Sequence, residues 1–184
     1  MKDHSPILKR NLTGCVAAVL LILFDQFTKM LAVAHLKDQP SNVLIDGVFE
    51  LRYLENRGSA FGMMQNKLMI LIPVTVVVTL FILYLFFKKL PATRHFFWLN
   101  AVAVLFFAGA IGNFIDRVRQ GYVVDFFYFS LINFPIFNVA DIYVTVAAFL
   151  LIFLCLFYYK EEDFEQIFPS DSSRQHSSEK KDND

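Results

Sequence analysis

Residues Leu68–Phe87 read LMILIPVTVVVTLFILYLFF, a run without a single charged side chain. A helix of roughly 20 apolar residues is long enough to cross the hydrocarbon core of a bilayer. Inside lipid the backbone must satisfy its own hydrogen bonds, which a single segment achieves only as a helix. Three other segments have the same character: Leu12–Ala34, Phe96–Ile115 and Val139–Tyr159. We therefore predict an all-α polytopic membrane protein with four transmembrane helices.

The composition of the whole chain agrees with this prediction. Of the 184 residues, 56% are hydrophobic and 18% are charged, whereas about a quarter of a soluble domain is charged. The 17 basic and 17 acidic residues leave no net charge, so the composition does not favour a nucleic acid as partner. The two cysteines, Cys15 and Cys155, lie in apolar runs and do not indicate a disulfide framework or a metal clip.

The charges are distributed unevenly along the chain. Residues 160–184 hold four basic and eight acidic residues, which leaves 13 basic and nine acidic residues in 1–159. The end of the chain is rich in Ser, Asp and Lys, a composition typical of disorder. We predict a single four-helix membrane domain over residues 1–159 and a charged, disordered cytoplasmic tail over residues 160–184.

The first apolar segment has two interpretations. Basic residues precede it, and Ala32-Val33-Ala34 resembles the cleavage site of a secretory signal peptide. However, Asp25 and Lys29 lie between the apolar run and that site, which a cleavage region rarely tolerates. We expect a retained helix, with a cleaved signal peptide as the alternative.

Four spans place both chain ends on the same side of the membrane. Lys9 and Arg10 precede the first span, and Lys88, Lys89 and Arg94 fill the short connection between spans two and three. Basic residues in short loops favour the cytoplasm, so we expect both termini to be cytoplasmic.

The long outer connection between the first two spans contains a hairpin pattern. Val43–Ile45 and Val48–Leu54 flank Asp46-Gly47, a dipeptide that suits a type I′ turn. We expect a small β-hairpin that lies against the outer membrane surface.

Polar side chains in and beside the spans gather toward the outer side. Each ionisable residue at mid-helix costs on the order of 3 kcal/mol on insertion scales, so its position is informative. The polar residues on the outer side are Asp25, Lys29, Asn56, Asn113, Asp116, Arg117, Asp125, Asn138, Asp141 and Thr145. Small residues such as Gly58 and Gly112 accompany them. We expect the four aspartates among them to meet in one polar pocket at the outer membrane boundary.

Several of these residues also suit structural roles. Asp25 and Lys29 are spaced for an ion pair within one helix, and Asp116 would cap the third span at the interface. Gly112 would allow neighbouring helices to approach closely. Asn138 would serve as the N-cap of the fourth helix.

Asp125 and Asp141 have no basic residue close to them in sequence. Two carboxyl groups in a poorly solvated site cannot both ionise easily, so the pair shares a proton. Such a dyad suits hydrolysis, with one Asp as general base and the other as general acid. A Mg²⁺ or Ca²⁺ site stays open as an alternative, although Lys29 and Arg117 argue against it. The HExxH motif of zinc hydrolases is absent.

Taken together, these stretches resemble those of the bacterial lipoprotein signal peptidases, or type II signal peptidases, which are membrane aspartic peptidases. The similarity covers residues 12–159, and the motifs keep the family's order and spacing. They are Asp25-Gln26-Phe27-Thr28-Lys29, Asn56-Arg57-Gly58-Ser59-Ala60-Phe61-Gly62, Gly109-Ala110-Ile111-Gly112-Asn113-Phe114-Ile115-Asp116-Arg117, Gly121-Tyr122-Val123-Val124-Asp125-Phe126 and Phe137-Asn138-Val139-Ala140-Asp141.

The resemblance implies an endopeptidase that removes the signal peptide of prolipoproteins by cleaving before a diacylglyceryl-modified cysteine. It implies Asp125 and Asp141 as the catalytic dyad. It also implies a set of residues that support the dyad or position the substrate: Asp25, Lys29, Asn56, Gly58, Gly112, Asn113, Arg117, Asn138 and Ala140. Asp116 is expected to be structural.

The same resemblance implies no metal and no cofactor. It implies a monomer in the bacterial inner membrane, in contact with lipids and the lipidated precursor, with the active site near the outer leaflet surface. A small transporter or an assembly subunit with a polar outer pocket is the alternative. A transporter, however, predicts polar residues through both halves of the membrane, and here the inner halves of the spans are nearly free of charge.

Overall fold

A computed structural model of the chain describes residues 5–58 and 68–169. Four helices in it are long and apolar enough to cross a membrane, which confirms the predicted spans. They are α1 (Ser5–Leu36), α2 (Leu68–Tyr84), α3 (Phe97–Gln120) and α4 (Val139–Phe153). A π-helical turn extends α2 over Leu85–Lys89 and α4 over Leu154–Tyr158.

Helix α3 lies at the centre of the bundle, where it packs against α1, α2 and α4. The approach of α3 to α4 is close at Gly109. A Cβ atom there would lie 2.6 Å from the carbonyl oxygen of Ala140. Small residues at this crossing therefore bring the start of α4 next to the middle of α3.

Three antiparallel strands form a sheet at one end of the bundle, in the order β1 (Asn42–Ile45), β2 (Phe49–Asn56) and β3 (Val123–Tyr128). The predicted hairpin is β1–β2, but its turn is not of type I′. That turn needs positive φ at both central residues, and only Gly47, at 67°, has it while Asp46 does not. Strand β3 was not predicted from the sequence, because its apolar residues do not alternate with polar ones.

Buried apolar residues form one cluster at each end of the bundle. The sheet-end cluster comprises Ala32, Leu36, Val124, Phe126 and Val139. It holds β3 between the last turns of α1 and the first turn of α4, and it makes the end of α1 an integral part of the fold. The tail-end cluster comprises Leu90, Phe96, Val102, Ala147, Leu154, Tyr159 and Ile167.

A fifth helix, α5 (Glu161–Ile167), begins where the sequence analysis placed a disordered tail. Ile167 is only 3% exposed and belongs to the tail-end cluster. Oδ1 of Asp163 lies 2.9 Å from Nε2 of His95, within hydrogen-bond distance. The spacing of Phe164 and Ile167 gives this short charged segment one apolar side, which accounts for its docking. Residues 170–184 of the predicted tail lie outside the described residues.

Candidate active site

Asn138 connects the two carboxylates that the sequence analysis singled out. As the N-cap of α4, its side-chain oxygen accepts the Asp141 N–H at 3.0 Å, and its own N–H donates to Asp141 Oδ2 at 3.2 Å. This reciprocal pattern is a capping box. The side-chain amide of Asn138 also donates to Asp125 Oδ1 at 2.6 Å. One residue therefore fixes both Asp125 and Asp141.

The pairing of β2 with β3 places Asp125. Asp125 lies opposite Leu54 and Val123 lies opposite Asn56, so Asp125 and Asn56 are diagonal neighbours on one face of the sheet. Asn56 Nδ2 donates to Asp125 Oδ2 at 2.8 Å. With Asn138 on the other oxygen, the Asp125 carboxylate has an amide donor on each side and is 1% exposed.

Asn113 of α3 links the dyad to a cation. Its Nδ2 donates to Asp141 Oδ1 at 2.8 Å, and its Oδ1 accepts from Lys29 Nζ at 2.9 Å and from Asn138 Nδ2 at 3.1 Å. The positive charge of Lys29 therefore acts on Asp141 through one intervening amide.

Lys29 is buried, and its ammonium has three acceptors for its three N–H groups. They are Asp25 Oδ2 at 2.9 Å, Asp116 Oδ2 at 3.0 Å and Asn113 Oδ1 at 2.9 Å. The predicted pair of Asp25 and Lys29 is thus part of a larger cluster. Breaking one partner from such a buried group is costly, because it leaves a charge uncompensated.

Asp116 does more than close the third span. It is buried, pairs with Lys29, and accepts the backbone N–H of Val124 at 3.2 Å. The expectation that it caps α3 at the interface is therefore wrong. Asp116 instead ties the end of α3 to β3, one residue before Asp125.

Asp25 connects α1 to the start of α4 in a similar way. Its Oδ1 accepts the backbone N–H of Ala140 at 2.8 Å. Gly112 faces it closely, since a Cβ atom at Gly112 would lie 2.6 Å from Asp25 Oδ2 and 3.2 Å from the Ala140 Cβ. The small residues at 112 and 140 therefore leave room for the Asp25 carboxylate between α1, α3 and α4.

Arg117 spans the gap between α3 and the residues after β2. Its Nη2 donates to the Gly58 carbonyl at 3.2 Å and its Nη1 to the Asn113 carbonyl at 3.3 Å. Its Nε is buried without a hydrogen-bond partner among the described residues. Arg117 lines the same cavity as Asp125 and Asp141.

A cavity of about 300 Å³ lies over the dyad. One wall carries the polar groups Asn56, Asn113 and Arg117 beside the two aspartates. The remaining lining is largely apolar and comes from α4 and from residues 134–137 before it. Thr145, predicted to share a face with Asn138 and Asp141, also lines it. The cavity therefore suits a ligand with one polar, cleavable group and a long apolar portion.

Burial, reinforced by the charge of Asp141, raises the pKa of Asp125 to about 7, although the amides of Asn56 and Asn138 oppose the rise. Among the described residues, the hydrogen bonds to both carboxylates come from uncharged groups. A cation in direct contact would hold both groups ionised, whereas uncharged donors allow one proton to stay on the pair. The arrangement therefore provides an acid and a base side by side.

Every described residue that the sequence analysis assigned to the pocket lies in this network or against it, whereas Ser59, Ala60, Phe61 and Gly62 of the second motif lie outside the described residues. Gln26 was missed, although its amide bonds to Asp25 at 3.2 Å, to Asp116 at 3.1 Å and to the Gly112 carbonyl at 3.1 Å. Its position beside Asp25 in an apolar run was the available signal. No group of three or more His, Cys, Asp or Glu placed to hold a metal ion occurs within residues 5–58 and 68–169.

Comparisons with known proteins agree with one another. Residues 17–157 match the model of a family described as signal peptidase II. A lipoprotein signal peptidase of Caldanaerobacter subterraneus subsp. tengcongensis is 45% identical over 143 residues, 77% of this chain and 94% of that protein. One of Clostridioides difficile is 41% identical over 140 residues, 76% of this chain and 89% of that protein.

Solved structures show the same likeness. A bacterial membrane enzyme determined by the in meso method at 2.3 Å resolution superposes with a TM-score of 0.71 at 32% sequence identity. The match covers 81% of this chain and 92% of that one.

Proposed function

The chain belongs to the signal peptidase II family, and from that premise we propose that Asp125 and Asp141 are its catalytic dyad. As a member it is a multi-pass bacterial membrane protein and an aspartic protease that removes signal peptides from prolipoproteins. The observation that carries the proposal is the double attachment of Asn138 to both carboxylates at the floor of one cavity.

The proposed reaction needs one ionised and one protonated carboxyl group. The ionised one accepts a proton from a water molecule, whose oxygen attacks the carbonyl carbon of the scissile peptide bond. The protonated one donates its proton to the amide nitrogen as the carbon–nitrogen bond breaks. The products are a new carboxylate and a free amine, and the shared proton returns to the dyad, so no covalent enzyme intermediate forms.

The surrounding residues hold this pair in position. Asn56, Asn113 and Asn138 orient the carboxylates by donating amide hydrogens. Asp25 and Lys29 hold α1, α3 and α4 together at their crossing, and the small residues Gly112 and Ala140 leave room for the Asp25 carboxylate. Gly58 supports the site through its carbonyl, which accepts a hydrogen bond from Arg117. We assign to Arg117, which lines the cavity, the role of binding a substrate carbonyl.

The substrate that we propose is a prolipoprotein cleaved before its diacylglyceryl-modified cysteine. The largely apolar part of the cavity suits such lipid chains, while the polar wall suits the peptide. We also propose that the sheet end faces outward near the membrane surface and that both termini are cytoplasmic. We also propose that the protein acts as a monomer. Residues 1–159 would form the peptidase domain and residues 160–184 a cytoplasmic extension, of which α5 packs against that domain through Ile167.

The test compares Asp125→Asn and Asp141→Asn with the wild type, as purified proteins acting on a diacylated prolipoprotein peptide in detergent. We expect each substitution to reduce kcat/KM by about a thousandfold or more, since acid–base catalysis and the attacking water are lost together.

Asp46→Asn is the matched control. It changes the same side chain in the exposed turn of the hairpin and should leave kcat/KM unchanged. If either dyad variant processed the lipidated peptide at the rate of the control, the assignment would be wrong. An assay that requires a partner protein for cleavage would favour the subunit interpretation instead.

A further inference from the structure

A second cavity of about 300 Å³ lies between α1, α2 and α3, away from the active site. Its walls are apolar and include small residues of α1 and α3, namely Gly14, Ala18 and Ala103. Phe86 and Ile82 of the second span also line it, and the end of the Phe86 ring lies directly against Gly14. Among the residues that the structure describes, none lines both this cavity and the catalytic one.

The position of this groove along α1 can be measured from Arg10. At 1.5 Å per residue, Gly14 lies about 6 Å and Val19 about 14 Å beyond Arg10 along the helix axis. One leaflet contributes about 15 Å of hydrocarbon. With Arg10 placed at the edge of the hydrocarbon core, the groove would extend over the depth of the acyl chains in the leaflet at the tail end of the bundle.

Cations stand at the mouth of the groove. The Arg10 guanidinium lies 4.8 Å from the centre of the Phe86 ring and donates a hydrogen bond to the Leu90 carbonyl. Lys9 adjoins Arg10 on α1, and Lys88 and Lys89 directly precede Leu90. In the part of the chain that the structure describes, none of these four residues forms an ion pair with a carboxylate.

We propose that this groove is a binding site for one anionic phospholipid. An acyl chain lies along Gly14, Ala18 and Val19, and the phosphate contacts Arg10 with Lys9 and Lys88 around it. A peptide does not suit the groove, because its apolar walls offer no partner for backbone amides. A phospholipid matches both features, since basic pockets between membrane helices bind anionic headgroups.

Native mass spectrometry of the purified full-length protein tests this proposal. The protein is titrated in detergent with a phosphatidylglycerol or with a phosphatidylcholine of identical acyl chains. We expect retention of phosphatidylglycerol to be stronger by about fivefold or more, since each cation near the surface favours an anionic lipid by about that factor. Arg10→Gln should lower this preference by about fivefold, the contribution of one cation.

A pair of neighbouring substitutions tests the acyl-chain part. Val19 lines the groove, whereas Leu20 is 61% exposed on another side of α1. Val19→Phe should weaken retention of both lipids, and Leu20→Phe should not. Equal retention of the two lipids by the wild type, or equal effects of the two phenylalanines, would overturn the proposal.

The two free cysteines provide an independent readout. Cys15 lines the groove and Cys155 does not. Bound phosphatidylglycerol should slow the alkylation of Cys15 but not of Cys155, and equal slowing of both would contradict the proposal. Neither measurement depends on peptidase activity, so the outcome is separate from that of the dyad.

Discussion

At the scale of single residues, Asn138 has two roles, and a different side-chain atom serves each of them. Its Oδ1 caps α4 by accepting the Asp141 N–H, while its Nδ2 donates to Asp125. The sequence indicated the cap, and the family resemblance indicated a role near the dyad. The link between the two roles depends on the position of β3, which no local pattern reveals.

Asn138→Ser separates the capping role from the contact with Asp125. Serine is a good N-cap, so the variant should unfold within a few degrees of the wild type in detergent. It lacks the Nδ2 donor, and we expect kcat to fall by about tenfold or more, since one hydrogen bond to a charged group is lost. The reference variant is Asn138→Ala, which should lose both activity and thermal stability. Equal activity of Asn138→Ser and the wild type would show that the Asp125 contact is dispensable.

At the scale of elements, the spans could be predicted because lipid imposes a simple rule on length and polarity. The hairpin followed from alternation and Asp-Gly, although its turn type did not. Strand β3 could not be predicted, because its edges are set by pairing with β2 some 70 residues earlier in the chain. Gln26 likewise gains its meaning only when α1 and α3 are packed together.

The crossing of α1, α3 and α4 leads to a prediction at this scale. In Gly112→Ala the new methyl group would press on the Asp25 carboxylate and on Ala140, neither of which has room to move. We expect a loss of about 1–3 kcal/mol in stability and a lower kcat, measured by thermal unfolding and peptide cleavage.

The matched variant is Gly14→Ala in α1. There the new methyl group would meet the end of the Phe86 ring at 2.5 Å, a side chain that can turn aside. Its unfolding temperature should fall less, and its kcat should stay unchanged. If Gly14→Ala lowered the unfolding temperature and kcat more than Gly112→Ala did, the tight packing around Asp25 would be contradicted.

At the scale of the whole molecule, the two apolar clusters stabilise different parts of the structure. The sheet-end cluster supports the site, and the tail-end cluster joins α5 to the helices. The docking of α5 was not predicted, because charge dominates the composition of residues 160–184 and hides the short apolar side of the helix.

Ile167→Ala tests whether the tail-end cluster stabilises the fold without affecting the site. Removing a buried Ile side chain should cost about 2 kcal/mol or more and lower the unfolding temperature. The site lies at the other end of the bundle, so kcat/KM should stay within about twofold of the wild type. Glu165→Ala changes an exposed residue of the same helix and should affect neither quantity. A large loss of activity in Ile167→Ala would show that the two ends are coupled.

The most direct test of the central claim, that Asp125 and Asp141 share one catalytic proton, is the pH dependence of kcat/KM for the wild-type enzyme. Burial and the charge of Asp141 raise the pKa of Asp125 to about 7. As the pH rises through that value the shared proton leaves, both carboxylates are ionised, and the acid needed for the leaving amine is lost. We predict that kcat/KM of a lipidated peptide without titrating groups falls by about tenfold per pH unit above about pH 7. A rate that stays constant to about pH 9, with the enzyme still folded, would contradict the claim.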